Sequence, residues 1–333
     1  MEDRMEHIIA DISTTKKKNL FKSGAAQKLL ALGALVLLIL FFTLASPVFM
    51  TSSNLISILL ATAVNGVLAV GVTFVIITGG IDLSIGTGMT FASVMTGVAI
   101  TFLGLPIFVG VFVGILTGAF IGFINGINVA KLKIPAFIAT LGMMMITKGL
   151  SLVISGAKPI YFMDTPEFAN ISKATVLGIP SGVIIFFLAA VLAHIILNKT
   201  IIGRFNFAIG SNLQATRLSG INTERWLIII HSLTGAFVGL AGVLMAARLN
   251  SAQPALGQGY ELDAIAAVVI GGTSLSGGKG TISGTVIGAF IMSVLLNGLR
   301  IMSVPQEWQT VLTGVIVIVA VFVDIYRRNK QSI

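Results

Sequence analysis

Residues 54–88 read NLISILLATAVNGVLAVGVTFVIITGGIDLSIGTG, and positions 54–78 of this stretch hold no charged side chain. A helical run of about 20 apolar residues spans a roughly 30 Å hydrocarbon core. The segment therefore has the length of a membrane crossing, and it ends in glycines and a single acid, Asp82. The same pattern recurs on both sides of it. With charge and Pro/Gly punctuation as boundaries, spans fall near 28–46, 54–78, 84–103, 106–129, 134–155, 180–198, 226–247, 263–275, 281–300 and 307–325. The expected fold is an all-α polytopic membrane protein of about ten transmembrane helices with an internal repeat. The eighth span is too short for an ideal crossing helix and is expected to be broken or tilted, with its freed backbone groups satisfied inside the protein.

Composition agrees. The 333 residues are 56% hydrophobic and 10% charged, against about 25% charged in soluble domains. There are no cysteines, which excludes disulfide frameworks, Cys-ligated zinc and thiol nucleophiles. The net charge of +9 does not point to nucleic acid, because the basic residues lie between apolar runs and form no stripe interleaved with aromatics. The apolar run Leu29–Ala45 exceeds a signal-peptide core and follows a long polar stretch, so it reads as an uncleaved first helix.

Lys and Arg gather in cytoplasmic loops, and the span count places sixteen of them on one side. These are Arg4, Lys16, Lys17, Lys18, Lys22, Lys28, Lys131, Lys133, Lys199, Arg204, Arg217, Arg225, Lys279, Arg327, Arg328 and Lys330. The other side receives Lys158, Lys173, Arg248 and Arg300, and Lys148 falls inside a span. Both termini are thus expected to be cytoplasmic. The chain divides into a tail at 1–27, a transmembrane domain at 28–326 and a tail at 327–333. Two connections are longer than turns. The outer one, 157–179, contains Pro159, Asp164, Pro166 and Glu167 and is able to pack as an external cap; the inner one, 199–225, has a soluble amphipathic pattern.

GGIDLSIGTG at 79–88 aligns with GGTSLSGGKG at 271–280. Gly79, Gly80, Leu83, Ser84, Gly86 and Gly88 match Gly271, Gly272, Leu275, Ser276, Gly278 and Gly280. Glycine-rich turns recur by chance, but duplicated unwound segments are also how many transporters are built. The span count puts both copies on the cytoplasmic side, as a parallel repeat requires; inverted halves would shift the count around 248–275.

The second copy is not a phosphate-binding loop. G-x-x-x-x-G must be followed by Lys-Ser/Thr, whereas Gly277 is followed by Gly278 and Lys279 by Gly280. If ATP drives this chain, another subunit hydrolyses it. Asp82 either caps the helix that follows or serves a proton relay or solute contact, since an acid at membrane depth is costly without a partner. Lys148 either snorkels or lines a pathway. His194 and His231 lack nearby acidic partners, so no metal site is expected. Asn65, Asn125, Asn128 and Asn297 lie within spans. They offer neutral donors and acceptors to a hydroxylated solute or act as interhelical glue; Asn65, Asn125 and Asn297 are the solute-path candidates. The triplet Met143–Met145 reads as adaptable packing. Gly110, Gly114, Gly118 and Gly122, four apart, make a groove on one helix face for a close helix contact, within the chain or between subunits.

Three pieces then carry a family resemblance: GGIDLSIGT at 79–87, AIGSNLQATRLSGIN at 208–222, and ARLNSAQPALGQGYELDAIAAVVIGGTSLSGGKGT at 247–281. They resemble the ribose-type branch of bacterial ABC importer permeases, a family that also serves other pentoses, galactosides and a sugar-like autoinducer. The resemblance implies an inner-membrane subunit that imports a monosaccharide, ribose first, by alternating access. It implies a second permease copy, two cytoplasmic ATP-binding subunits that hold the ATP and Mg, a periplasmic sugar-binding protein, and no cofactor or catalytic residue on this chain. It also implies that Ser211, Asn212, Ala215, Thr216, Arg217, Ser219 and Gly220 form the loop whose short helix docks on the ATPase; Thr216 stands where a smaller residue, often Ala, is usual. The outer segments 157–179 and 250–260 become the candidates for meeting the binding protein.

Two rivals remain at this level. An ion-gradient-driven secondary transporter requires Asp82 and Lys148 to be buried partners in mid-membrane. An intramembrane enzyme requires a motif such as HExxH or GxSxG, or paired intramembrane carboxylates, and the sequence contains none of these.

Overall fold

The structure, a computed structural model, describes residues 24–329. Most of the predicted N-terminal tail, with Arg4, Lys16, Lys17, Lys18 and Lys22, and Lys330 at the other end, lies outside the described residues. The helices are α1 (Gly24–Ala45), α2 (Ser52–Ile77), α3 (Ile85–Gly97, continued by a π-turn Val98–Phe102), α4 (Ile107–Ala130) and α5 (Ala136–Ser155). After the outer segment come α6 (Asn170–Lys173), α7 (Ser181–Lys199), α8 (Ile201–Ser211), α9 (Leu213–Leu218), α10 (Thr223–Leu249), α11 (Tyr260–Ile270), α12 (Ile282–Ile301) and α13 (Gln306–Asn329). Among the described residues, eight helices are long and apolar enough to cross a membrane.

The centre is α2. Every residue from Thr62 to Ile77 is buried, as expected of a helix that is apolar all round and enclosed by others. Its few polar groups are satisfied across helices: the hydroxyls of Thr73 and Thr285 lie 2.9 Å apart, and Thr234 donates to the Gly71 carbonyl at 2.9 Å. In contrast, α1 stands at the rim with Leu29, Leu37 and Leu44 exposed, the surface a lipid-facing helix presents.

The glycine stripe of α4 is used within the chain. A β-carbon on Gly118 would overlap the carbonyl oxygen of Gly235, and one on Gly122 that of His231. Helices α4 and α10 therefore meet backbone to backbone. Lipid is as apolar as leucine, so such close van der Waals contact is what drives association in a membrane. On the far side of α4, Phe108, Phe112, Leu116 and Phe120 are exposed.

Segment 157–179 packs against the end of the bundle. Phe162 and Phe168 are buried with ring centroids 4.1 Å apart, in one cluster with Ile100, Val243 and Ala247. Four two-residue strands organise it: β1 (Ile160–Tyr161), β2 (Thr175–Val176), β3 (Ile179–Pro180) and, beyond α10, β4 (Ser251–Ala252). β1 pairs antiparallel with β4, Ile160 opposite Ala252, and β2 pairs antiparallel with β3.

The predicted eighth span, 263–275, is the eleven-residue α11, about 16 Å long at 1.5 Å per residue. The chain reaches it from the β1–β4 end through a non-helical stretch, 253–259, in which Pro254 and Gly257 are buried while Ala255, Leu256 and Gln258 are exposed. A β-carbon on Gly257 would overlap the Gly86 carbonyl oxygen at the start of α3, and Lys148 Nζ donates to Gln258 Oε1 at 3.0 Å. Irregular backbone at this depth persists where protein surrounds it. Asp82 and Lys148 thus have separate partners: Asp82 Oδ1 accepts from the Ser84 amide at 2.9 Å and its hydroxyl at 2.6 Å, closing the turn just ahead of α3.

Candidate functional site

Two places gather the residues singled out by the sequence. The first lies where α2 and α11 end. The last carbonyls of a helix have no partner within it, and that of Ile77 accepts from the Gly278 amide at 2.8 Å. One Gly-rich copy thus caps the helix that leads into the other. Both copies lie at the same end of the bundle and touch: Ser276 O is 3.6 Å from where a β-carbon on Gly79 would stand. The left-handed backbone at Gly79 (φ 82°), Gly272 (φ 92°) and Gly278 (φ 72°) is why these positions are glycine. Thr140 supports the first copy, accepting from the Leu83 amide at 3.1 Å and donating to the Ile81 carbonyl at 3.2 Å.

The inner loop inserts into this junction. At the end of α8, a β-carbon on Gly210 would overlap Ile77 O and lie 2.6 Å from Gly278 N, and Ser211 lies directly against Gly278. The chain then turns into α9. Asn212 caps it, Oδ1 accepting from the Ala215 amide at 2.9 Å, as Asn222 caps α10 through the Arg225 amide at 3.0 Å. Thr216 is buried and donates to the Asn212 carbonyl at 2.8 Å, while Ala215, Arg217, Ser219 and Gly220 are exposed. Gly220 ends the helix at φ 83°. The sequence reading passed over Leu218, 88% exposed, and Leu213, 43% exposed, on this same short helix. Both leucines are bared on the same exposed helix as Arg217. The reading also passed over Gly210, although a glycine inside an amphipathic helix was its available signal. Glu224 ties the region to the α4–α5 turn, with Lys133 Nζ 2.5 Å and Arg217 Nη2 3.6 Å from its Oε1.

The second place is a cavity of about 450 Å³ among α2, α10, α11, α12 and α13, within the roughly 300–1,000 Å³ range of small-molecule sites. Asn65 and Asn297, brought together from α2 and α12, both line it, with Ser293, Gln258, Tyr260 and Gln309. Asn65 Oδ1, Asn297 Oδ1 and Ser293 Oγ are buried without hydrogen-bond partners. Buried polar atoms are nearly always satisfied, so three unpaired ones beside one cavity leave hydrogen-bonding capacity unused there. Asn297 Nδ2 is fixed by Asn54 Oδ1 at 2.9 Å, which leaves the carbonyl end free. Asn125 is elsewhere: fully buried, it donates to Ser84 Oγ at 2.8 Å and helps hold the first Gly-rich turn. His231 is buried with Nδ1 2.9 Å from the Leu227 carbonyl.

A helical membrane bundle with a polar cavity, joined through glycine turns to an exposed helical loop, is the outline of a transport permease. A family described as branched-chain amino acid transport system / permease component matches residues 54–321. The chain is 42% identical over 325 residues to the ribose import permease protein of Escherichia coli K12, covering 96% of this chain and 99% of that one. It is 41% identical to the ribose import permease protein of Bacillus subtilis 168, covering 96% and 98%. Identity to the fructose import permease protein of Rhizobium meliloti is 36%, over 94% of this chain and 88% of that one. No solved structure matches. The chain belongs to this permease family, within its ribose-type ABC importer branch, and is a multi-pass protein of the bacterial inner membrane.

Proposed function

We propose that this chain carries ribose across the inner membrane by alternating access, as the permease subunit of an ATP-binding-cassette importer. The single observation that carries the reading is the cavity whose wall holds the unpaired oxygens of Asn65, Asn297 and Ser293. Neutral acceptors and hydroxyls suit a sugar, because each hydroxyl it brings replaces a hydrogen bond lost to water. Family members named for ribose, fructose and xylose support the substrate class, and the higher identity to the ribose proteins supports ribose.

ATP and its Mg belong to separate cytoplasmic subunits that dock on α9 and on the loop from Ser211 to Gly220. The chain binds no cofactor and hydrolyses nothing. Closure of the ATPase pair pushes α8 against the Ile77–Gly278 junction, and the two Gly-rich turns shift the helices that flank the cavity. A solute biases this equilibrium only through different affinities for the two states. Ten crossings complete the topology, with 253–259 plus α11 as the eighth and α13 as the tenth. Both termini then face the cytoplasm, as the excess of Lys and Arg at the α8–α9 end requires. The importer contains two copies of this chain, and a periplasmic sugar-binding protein meets the cap and segment 250–260.

Uptake of radiolabelled ribose in a strain lacking the chain, restored by expressing it and competed by unlabelled ribose before fructose or xylose, is the expected result. Uptake that persists without a functional ATPase partner, or that ribose does not compete, overturns the proposal.

A further inference from the structure

Four ionisable side chains line the cavity: Arg248 and Arg300, Asp263, and the phenol Tyr260. A guanidinium does not lose its proton in proteins, so the wall carries two fixed positive charges against one carboxylate. Each arginine sits in the last turn of its helix, α10 or α12, where the helix dipole favours a cation. Behind the wall, Lys148 adds a third positive charge through its bond to Gln258. Glu261, also behind the wall, lies toward Gly86 with both carboxylate oxygens 3.1 Å from the Gly259 amide, and it offsets the charge of Lys148, so the balance is left to the groups on the wall. An excess of one sign of charge in a cleft with low-dielectric walls focuses its field into it.

From this we infer that the cavity is a cation-excluding vestibule: Arg248 and Arg300 hold it at positive potential, so that neutral hydroxylated solutes enter while protonated amino sugars and alkali ions are turned back. The inference rests on the cavity being the solute path. It supplies what a membrane with standing ion gradients demands of such a path, the passage of a sugar without a co-travelling cation, and permanent charge performs the same task in selective channels. Asp263 moderates the field, so the vestibule repels cations without becoming a trap for anions.

The chain contains no cysteine, so Asn65→Cys places a single thiol on the cavity wall. Its labelling in membranes holding the assembled importer is followed with neutral, cationic trimethylammonium and anionic sulfonate methanethiosulfonates, each rate normalised to a free thiol in solution. The neutral reagent is expected to react, and the anionic reagent to outpace the cationic one. Adding Arg248→Gln and Arg300→Gln shifts the anion-to-cation ratio toward the cation by about tenfold at low ionic strength, whereas Arg248→Lys with Arg300→Lys keeps the original ratio. A ratio unmoved by the glutamine pair, or moved equally by the lysine pair, overturns the electrostatic inference and leaves the solute path standing. Failure of the neutral reagent to reach position 65 overturns the solute path, and the inference falls with it.

Discussion

The junction at the ends of α2 and α11 and the cavity beside Asn65 are built on opposite principles. At the junction, backbone meets backbone: Ile77 O is taken by Gly278 N, and Gly210 leaves no space for a side chain. In the cavity, Asn65, Asn297 and Ser293 keep polar atoms unpaired. On the function proposed above, force would be passed on through contacts that do not yield, and a solute handed along by groups whose hydrogen bonds are not already taken.

The largest effect should come from breaking the junction. Gly210→Val puts a branched side chain where Ile77 O and Gly278 N already stand. We expect ribose uptake to fall by about a hundredfold or more, since overpacking of this kind forces backbone shifts, while the chain still inserts and is found in the membrane by immunoblot. Gly220 offers the contrasting case at the same end. No atom lies within 4 Å of a β-carbon added there, but its φ of 83° strains any residue with a side chain, so a bulky residue at 220 reshapes the exposed end of α9 without entering the bundle; uptake is expected to be abolished while insertion stays normal.

Next in size is Leu218→Asp, which places a charge on the exposed tip of α9. Co-purification with the ATPase subunit should drop by about tenfold or more, in line with losing a central apolar anchor of an interface. Unchanged co-purification removes α9 from the docking surface. On the cavity side, Asn65→Leu deletes one unpaired acceptor, and half-maximal ribose concentration for uptake should rise by up to about tenfold, the worth of one hydrogen bond. An equal loss from Asn125→Leu measured as half-maximal concentration would blur the distinction drawn above, because Asn125 holds a turn and does not touch the cavity. The smallest change belongs to Glu224→Gln. Its partners Lys133 and Arg217 are about half exposed, and exposed ion pairs contribute little, so uptake should stay within about fivefold.

The junction was legible in the sequence because unusual backbone leaves a mark there. Positive φ at Gly79, Gly272 and Gly278 selects glycine, and clustered glycine is visible without coordinates; their aligned partners Gly271, Gly80 and Gly86 do not share that backbone, so the two copies match as glycine-rich segments and not as one repeated conformation. The cavity left no such mark. Asn65 and Asn297 are polar residues in apolar runs, and so is Asn125; only the packing of α2 against α12 decides which of them face open space. Arg248 and Arg300 were read from the sequence as orientation signals alone, because nothing local shows that helix ends far apart in the chain share one wall. The true course of 253–271 was also hidden. Hydropathy registers apolar content along the chain, but the irregular entry to α11 depends on support from Gly86 and Lys148, on other helices.

The clasp between Ile160–Tyr161 and Ser251–Ala252 is a pairing of main chains, and main-chain hydrogen bonds are indifferent to which side chains project from the strand. Tyr161 and Met163, exposed beside it, are therefore free to diverge. Exchanging either side chain leaves in place the thread that runs from this strand pair to the cavity wall.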